Sequence, residues 1–300
     1  MKLDGIKIAI SASTAPDSAQ LGMPNREVDR ALLTICTTLI RKGCEIIYLG
    51  NLSPSQYTFK IFRHLASAYA GARTKAPFLH VIAEPIARRS TFDRLHAALE
   101  ENRSIAETQI SIGEQLVPLR PSGPKLLLGQ PGSQRISIAN EEDWTGWLAS
   151  HVIQTDPDAY TRARALVTVL ADARLAIGGK MGRLECLEDS YEGAMPGIVQ
   201  EAIMSLEAGQ PFIPLGAYGG AARDVAIALG LLAKDRAVPR ANQQEGYEQA
   251  IAHLAGLSSQ VPSTLRPHLS QIADEDRGEP TSFAVIDAIL QWREFNQNAK

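Results

Sequence analysis

The sequence predicts an α/β protein with a mostly parallel sheet covered by helices on both faces. Short apolar runs alternate with segments of helical periodicity along most of the 300 residues, and this alternation is typical of parallel sheets. Two of the runs, Leu175–Ile177 and Pro211–Leu215, end in glycines and are followed by a helical pattern. An apolar content of 45% is sufficient for a sizeable core.

The first elements follow from short buried runs and one helical stripe. Ile6–Ile10 is predicted as a strand bounded by Ser11-Ala12-Ser13. Asn25 is placed to cap a helix that ends at Gly43. The apolar stripe of that helix consists of Val28, Leu32, Ile35, Cys36, Leu39 and Ile40. The elements expected next are strands at Glu45–Leu49 and Phe78–Ile82, and helices at Pro54–Tyr69 and Arg88–Leu99.

The middle of the chain gives weaker signals. Gln115–Val117 is a short strand that Pro118 should end, because proline cannot donate to a ladder. The segment 121–140 is expected to form a surface loop or a small hairpin. The helices predicted beyond it are Glu141–His151, Pro157–Ala171, Asn242–Ala255 and Ser282–Phe295, the last two joined by a polar segment that contains proline.

Composition excludes several classes of protein. A net charge of −3 does not favour a broad nucleic-acid surface, and no apolar run approaches the roughly 20 residues of a membrane span. Three cysteines without CxxC spacing, and histidines without HxxxH spacing, argue against disulfides and a metal site. Neither a GxSxG elbow nor a Walker motif is present. We expect a cytoplasmic protein without metal or resident cofactor.

Polar and small residues follow the predicted strands. In a parallel sheet, ligands bind beyond the carboxyl ends of the strands, and a strand that runs into glycine before a helix presents bare backbone N–H groups to an anion. The segments expected at this edge are Ser11–Ser13, Gly50–Asn51, Ala83–Glu84, Gly178–Lys180 and Gly216–Gly220. The sequence therefore predicts a pocket for a phosphate-bearing ligand.

Each candidate also has a purely structural interpretation. Ser11 and Ser13 can contact a phosphate or cap the next turn. Gly50 can admit a ligand to the backbone or form a tight turn. Lys180 and Arg183 can neutralise a phosphate or remain solvated loop charges.

The acidic segment Leu184–Ala194 can be a flap over the pocket or a surface loop. Glu192 or Glu201 can accept hydrogen bonds from a ribose diol, or the two can serve acid–base cleavage of an N-glycosidic bond. Tyr218, between Gly216 and the pair Gly219-Gly220, can stack on a base or pack against the neighbouring helix.

Five strings carry a family resemblance: ISAS near the N-terminus, IIYLGN, IGGKMGR, MPGIVQEA and PLGAYGGAARD. They resemble the SLOG superfamily, the Rossmann-like group that contains the DprA proteins and the LOG phosphoribohydrolases. The likeness is to its stand-alone bacterial branch, found around nucleotide-signalling and defence systems, and runs from Ile6 to about Leu232. The SLOG domain of the Thoeris defence effectors, which senses a cyclic ADP-ribose isomer, belongs to the same superfamily.

The resemblance implies a Rossmann-like nucleotide-ligand domain over residues 1–235, with a helical extension over 236–300 packed on it. The PGGxGTxxE motif of LOG enzymes is reduced here to Pro196-Gly197-Ile198-Val199-Gln200-Glu201. Pro196 and Gly197 carry over as a helix start near the ligand, and Glu201 as a ribose or base contact. The resemblance implies a glycine pair and an acidic residue after the second strand, and this sequence departs from that pattern with Gly50-Asn51.

The leading hypothesis is a protein that binds or senses an ADP-ribose-like ligand or a nucleoside phosphate in a signalling or defence system. A nucleotide N-glycosidase and a protein-interaction module with a degenerate pocket are the alternatives. The expected partners are the ligand, an effector protein and further copies of the chain in a homo-oligomer.

Overall fold

The computed structural model describes residues 3–53, 57–69, 76–130, 132, 135–239 and 242–298. The chain divides into two compact units. Unit 1 combines Met1–Cys44 with Ala171–Lys300, and unit 2 is the intervening Glu45–Leu170. The boundary expected between residues 235 and 236 stays a prediction.

The strands of the described residues are, in chain order, β1 (Lys7–Ser13), β2 (Glu45–Leu49), β3 (Phe78–Ala83), β4 (Ala106–Ile112), β5 (Gln115–Ser122), β6 (Lys125–Leu128), β7 (Ile136–Ile138), β8 (Ala173–Gly178) and β9 (Phe212–Leu215). The α-helices are α1 (Asn25–Arg41), α2 (Tyr57–Tyr69), α3 (Glu84–Arg88), α4 (Phe92–Asn102), α5 (Glu141–Ala149), α6 (Asp156–Leu170), α7 (Gly197–Glu207), α8 (Gly220–Ala228), α9 (Tyr247–Gly256), α10 (Arg266–Asp274) and α11 (Gly278–Asn298).

Unit 1 is built on three parallel strands in the order β1-β8-β9. In their register Ile10 is opposite Leu175, which is in turn opposite Ile213. Helix α7 connects β8 to β9 and contacts both strands, while α1 packs along α11. The carboxyl ends of these three parallel strands therefore meet at one edge of unit 1, as in other parallel α/β sheets.

Unit 2 contains both parallel and antiparallel pairs. Strands β2, β3 and β4 are parallel neighbours, and β5, β6 and β7 continue the sheet as an antiparallel meander. Its apolar core includes Trp144 of α5, whose indole N–H donates to the Ser90 carbonyl at 3.0 Å. Across the two units, the predicted α/β class with a mostly parallel sheet is confirmed.

The long helix α1 matches its predicted stripe, because all six apolar residues of that stripe are buried. Gly43 follows the helix with φ +98°, as expected for a glycine that ends a helix. The cap differs from the prediction. Pro24 occupies the cap position and Asn25 is the first helical residue, with its side-chain oxygen accepting from the Ser18 hydroxyl.

The N-terminal strand is longer than predicted, because β1 continues through the serines to Ser13. The single helix predicted at Arg88–Leu99 is also wrong: α3 ends at Arg88 and α4 begins at Phe92. Thr91 separates them by accepting a hydrogen bond from the Arg94 amide, which is the signature of a helix start.

Most of the antiparallel meander of unit 2 was not predicted from the sequence. Strand β4 was not predicted, and β5 continues past Pro118 instead of stopping there. The Pro118 carbonyl still accepts from the Gly129 amide at 2.9 Å, so the missing N–H costs one bond without ending the strand. The hairpin alternative for residues 121–140 is confirmed by the β5–β6 pairing.

Two further expectations concern helices. The predicted start of a helix at Pro54 lies outside the described residues, which place α2 from Tyr57. The segment expected to join the last two helices contains α10, where Pro267 fits because proline is tolerated in a first helical turn. None of the helices in the described ranges combines the length and apolar character needed to cross a membrane.

The buried His80 of β3 predicts a pH dependence of stability. Burial lowers the pKa of His80 from 6.5 to about 4, although a hydrogen bond from Nε2 to the Gly50 carbonyl partly opposes this. The unfolded imidazole binds a proton below pH 6.5 and the folded one does not. We therefore expect stability to be lost as pH falls from 6.5 toward 4, by on the order of 3 kcal/mol.

Urea unfolding at several pH values checks this expectation. The matched variant His80→Gln retains a side-chain donor but cannot titrate, so its free energy of unfolding should fall less over the same interval. Equal pH slopes in the two proteins would contradict the assignment.

Candidate functional site

The turn after β8 consists of two glycines in left-handed conformations. Gly178 has φ +66° and Gly179 has φ +109°. A methyl group on Gly178 would lie 2.2 Å from the Ser13 carbonyl oxygen, and the Gly179 amide donates to that oxygen at 3.2 Å. The ends of β1 and β8 are therefore in direct main-chain contact, with no side chain between them.

The second glycine turn lies directly against the first. Gly219 and Gly220 have φ +78° and +65°. A methyl group on Gly220 would lie 2.5 Å from the Gly178 carbonyl carbon, and the Ala221 amide donates to the Gly179 carbonyl at 3.1 Å. The two junctions singled out in the sequence thus meet at the edge of unit 1. We call this contact, formed by Gly178, Gly179, Gly219 and Gly220, the glycine corner.

The first amide of α8 is already hydrogen-bonded to a carboxylate of the same chain. The Gly220 amide donates to Oδ1 of Asp17 at 2.6 Å, and Asp17 is only 3% exposed. A carboxylate at this position is stabilised by the unpaired amides and partial positive charge of the helix start. Sequence reasoning missed Asp17, since nothing local to the β1–α1 connection indicates a partner 203 residues away.

The N-terminus of α7 has no such partner among its own residues. Pro196 occupies its cap position without a side-chain hydrogen bond, and the first turn contains no acidic residue. A methyl group on Gly179 would lie 2.6 Å from Cδ1 of Ile198, so the start of α7 lies beside the first glycine turn. The structure therefore brings Pro196 and Gly197 next to Gly179.

The two predicted cations differ in their surroundings. The half-buried Lys180 donates from Nζ to the Ser190 carbonyl at 2.7 Å. Arg183 is ion-paired, because its Nε lies 3.4 Å from Oδ2 of the buried Asp189. Asp189 also accepts from the backbone amides of Met181 and Arg183 at 2.8 and 2.9 Å. The charge of Arg183 is thus already compensated, and Asp189 is a second residue whose role the sequence did not reveal.

The segment Leu184–Ala194 is fastened near both ends. The Leu184 amide donates to the Asn242 carbonyl at 3.1 Å, and the Tyr191 hydroxyl donates to the Glu245 carbonyl at 3.1 Å. Between these attachments Leu187 is 91% exposed. Glu192 is also exposed. The segment is therefore anchored to the chain before α9 and presents its middle to solvent.

Glu201 is paired inside the fold. It lies in the second turn of α7, and its Oε1 is 3.4 Å from NH1 of Arg174, which is 1% exposed. Arg174 also donates to the hydroxyls of Ser11 and Ser205, both at 3.1 Å. Ser11 therefore holds this arginine within the sheet. An arginine in an otherwise apolar strand was the available signal for this cluster.

Tyr218 is enclosed by its own unit. Its side chain is fully buried, and the segment Gly216–Tyr218 contacts α10. Burial raises the pKa of the Tyr218 phenol well above its usual value. The Gly216 carbonyl accepts from NH1 of Arg223 at 3.0 Å. The position of Tyr218 corresponds to the packing interpretation, and its ring has no exposed face for a base.

Gly50 and Asn51 take part in the internal bonding of unit 2. The Gly50 carbonyl accepts from His80, and a methyl group on Gly50 would lie 2.3 Å from the Thr58 hydroxyl oxygen. The side-chain oxygen of Asn51 accepts from the Ser53 amide at 3.0 Å, which is a local turn. Across both units, no group of three or more His, Cys, Asp or Glu side chains could hold a metal ion within the described ranges.

The glycine corner predicts a position-specific cost of adding one methyl group. Gly178→Ala would hold alanine at a strained positive φ and place its methyl group against the Ser13 carbonyl oxygen. Gly209 also has a positive φ, +68°, but a methyl group there would have no atom within 4 Å. We expect Gly209→Ala to lose about 1 kcal/mol of unfolding free energy and Gly178→Ala at least about 3 kcal/mol. Urea titrations of the two variants would measure the difference, and equal losses would contradict the close contact.

A protein-family model matches most of the chain. The family model SLOG cluster2 matches residues 2–126 and 128–268. No curated protein matches the chain at a significant level. The matched ranges contain both glycine turns and the start of α7. The chain therefore belongs to the SLOG cluster2 family.

Proposed function

We propose that this SLOG protein binds a nucleotide-derived ligand, ADP-ribose-like or a nucleoside phosphate. One observation carries the proposal: the start of α7, whose cap residue and first turn supply no acidic acceptor, lies beside the bare backbone turn of Gly178 and Gly179. The amides of Gly197 and its neighbours, together with the partial positive charge of α7, suit a phosphate group. Family membership supports a nucleotide-type ligand.

Lys180 supplies a positively charged side chain to the proposed site. Its ammonium group contacts only a neutral carbonyl in the bonds described for it, that of Ser190. A phosphate can replace that carbonyl as the acceptor, since a charge-assisted hydrogen bond is stronger than one to a neutral group. Arg183 is a weaker candidate, because Asp189 already offsets its charge.

The sugar of the ligand is assigned to Glu201. Arg174 holds this carboxylate one helical turn below the α7 start. A buried carboxylate left without its cation would be strongly destabilising. The pairing supports a fixed acceptor for ribose hydroxyls more than a mobile acid or base.

Occupancy can be transmitted through the anchored segment Leu184–Ala194. It begins four residues after Lys180 in the chain and is hydrogen-bonded to the segment before α9. A ligand that takes Lys180 from the Ser190 carbonyl would loosen one attachment of this segment. We infer a sensing role of this kind in a signalling or defence system.

Titration calorimetry tests the binding site. ADP-ribose, its cyclic isomers, AMP and NAD should be titrated into the wild type, Lys180→Met and the control Lys234→Met, whose lysine is exposed after α8. We expect Lys180→Met to weaken binding about tenfold, because one charged contact is worth roughly 1.4 kcal/mol. Lys234→Met should bind like the wild type. No binding of any compound at millimolar concentration would reject the proposed function.

A nucleotide N-glycosidase is the second candidate, favoured by the buried carboxylate of Glu201 close to the proposed phosphate position. Incubation with AMP, cytidine monophosphate or NAD, followed by chromatography for free base, distinguishes turnover from binding. If the protein is an enzyme, Glu201→Gln should abolish base release while nucleotide binding stays detectable by calorimetry. The absence of free base from the wild type would reject this candidate and leave the binding function standing.

A further inference from the structure

A cavity of about 510 Å³ lies within unit 1, between the β1–α1 connection, the first turn of α8 and the segment that follows α8. Its lining includes Leu21, Val238 and Pro239, which form an apolar side, and the two cations Arg223 and Arg236. None of these residues belongs to the proposed nucleotide position. A cavity of this size is typical of small-molecule sites.

The walls of the cavity are fixed by bonds inside unit 1. The Leu21 amide donates to the Asp17 carbonyl at 3.2 Å, which holds the β1–α1 connection in a turn. The Arg236 carbonyl accepts from Nε of Arg223 at 2.7 Å, and the Arg236 guanidinium is ion-paired with Asp274 of α10. The segment after α8 is therefore tied to two helices, and the cavity is preformed.

Arg223 places a buried guanidinium at the wall of this cavity. The residue is only 5% exposed, and its Nε and NH1 donate to the carbonyls of Arg236 and Gly216. Both acceptors are neutral. Within the described residues the guanidinium forms no ion pair, and its NH2 makes no hydrogen bond. Since a buried donor is normally paired, NH2 of Arg223 is a position that an oxyanion of a ligand would satisfy.

The charge of Arg223 is only partly offset by the fold. Burial lowers the pKa of Arg223, and the nearby Arg236 guanidinium lowers it further. The carboxylates of Asp17, Asp274 and Asp224 favour the charged form, but none of them forms an ion pair with Arg223. An anion in contact with the guanidinium would stabilise the charged form that burial disfavours.

The surroundings favour a ligand with one negative charge. Of the two arginines that line the cavity, Arg236 is already paired with Asp274, so Arg223 is the one whose charge a ligand can take. The exposed Asp235 also lines the cavity and would repel a second negative charge. A carboxylate carries one charge on two oxygens that match a planar guanidinium, whereas a phosphate ester carries about −1.5 to −2 at pH 7.

We propose that this cavity binds a small organic carboxylate, whose oxygens contact Arg223 and whose apolar part lies against Leu21, Val238 and Pro239. The inference goes beyond the proposed function and does not rest on it. It gives unit 1 a second ligand site, for a different class of molecule from the nucleotide proposed at α7.

Titration calorimetry with three aromatic probes tests the charge requirement. Benzoate should bind the wild type. Benzyl alcohol, which lacks the charge, should bind about tenfold more weakly, because one charge-assisted contact is lost. Phenyl phosphate should bind about threefold more weakly than benzoate, because its second charge is repelled by Asp235. No heat from benzoate at millimolar concentration, or equal affinity for benzoate and benzyl alcohol, would overturn the inference.

Two matched substitutions test the location. Ala237 lines the cavity and is exposed, so Ala237→Trp narrows the cavity without removing a charge or disturbing the core. It should weaken benzoate about tenfold, in keeping with an obstructed site. Ala233→Trp adds the same ring at an exposed position of the same segment outside the lining and should bind benzoate like the wild type. Equal affinities in the two variants would place benzoate elsewhere and reject the site.

Charge variants identify the group that binds the carboxylate. Arg223→Lys keeps the charge but loses the planar fork, and should weaken benzoate about tenfold while an unchanged circular dichroism spectrum shows that the protein is folded. Asp235→Asn should improve phenyl phosphate more than benzoate. Lys180→Met should leave benzoate affinity unchanged, and a parallel loss there would merge this cavity with the proposed nucleotide position. Failure of nucleotides to bind would reject the proposed function and leave the carboxylate site standing.

Discussion

The direct contact between two glycine turns is the constraint on which the edge of unit 1 depends. Gly178 and Gly179 lie against Gly220 through main-chain atoms, the Gly179 amide donates to the Ser13 carbonyl of β1, and the Gly179 carbonyl accepts from the Ala221 amide. A methyl group on Gly220 would lie 2.5 Å from the Gly178 carbonyl carbon, so any larger side chain would push the two turns apart. The positions of α7, α8 and the Asp17 segment all follow from this close approach.

Internal pairing determines where positive potential remains at this edge. Arg183 is compensated by Asp189, Arg174 by Glu201, and the start of α8 by Asp17. Each pair is largely buried, so its attraction is strong and its desolvation costly. The Lys180 ammonium donates to the neutral Ser190 carbonyl, and the first turn of α7 contains no acidic residue.

Local patterns predicted the parts of the fold that depend on local chemistry. The stripe of α1 and the glycine turns could be read directly, because apolar periodicity and positive φ leave a signature within a few residues. Strand β4, AETQISI, lacked such a signature, since a half-buried strand mixes polar and apolar residues as a loop does. Asp17 and Arg174 were missed for another reason. Their partners lie on distant segments, and one sequence holds no record of contacts across more than a hundred residues.

Unit 1 is discontinuous in the chain, and this has a consequence for biosynthesis. Strand β1 pairs with β8, whose residue Ala173 is made 165 positions after its partner Ile8. Helix α9 arrives later still, bringing the Tyr247 hydroxyl that donates to the buried Asp224 carboxylate at 2.5 Å. Residues 45–170 have left the ribosome by then and can condense first. The glycine corner can therefore assemble only after Ala221 has been made, and until β8 has been made the emerging amino-terminal strand lacks that partner and needs protection from aggregation.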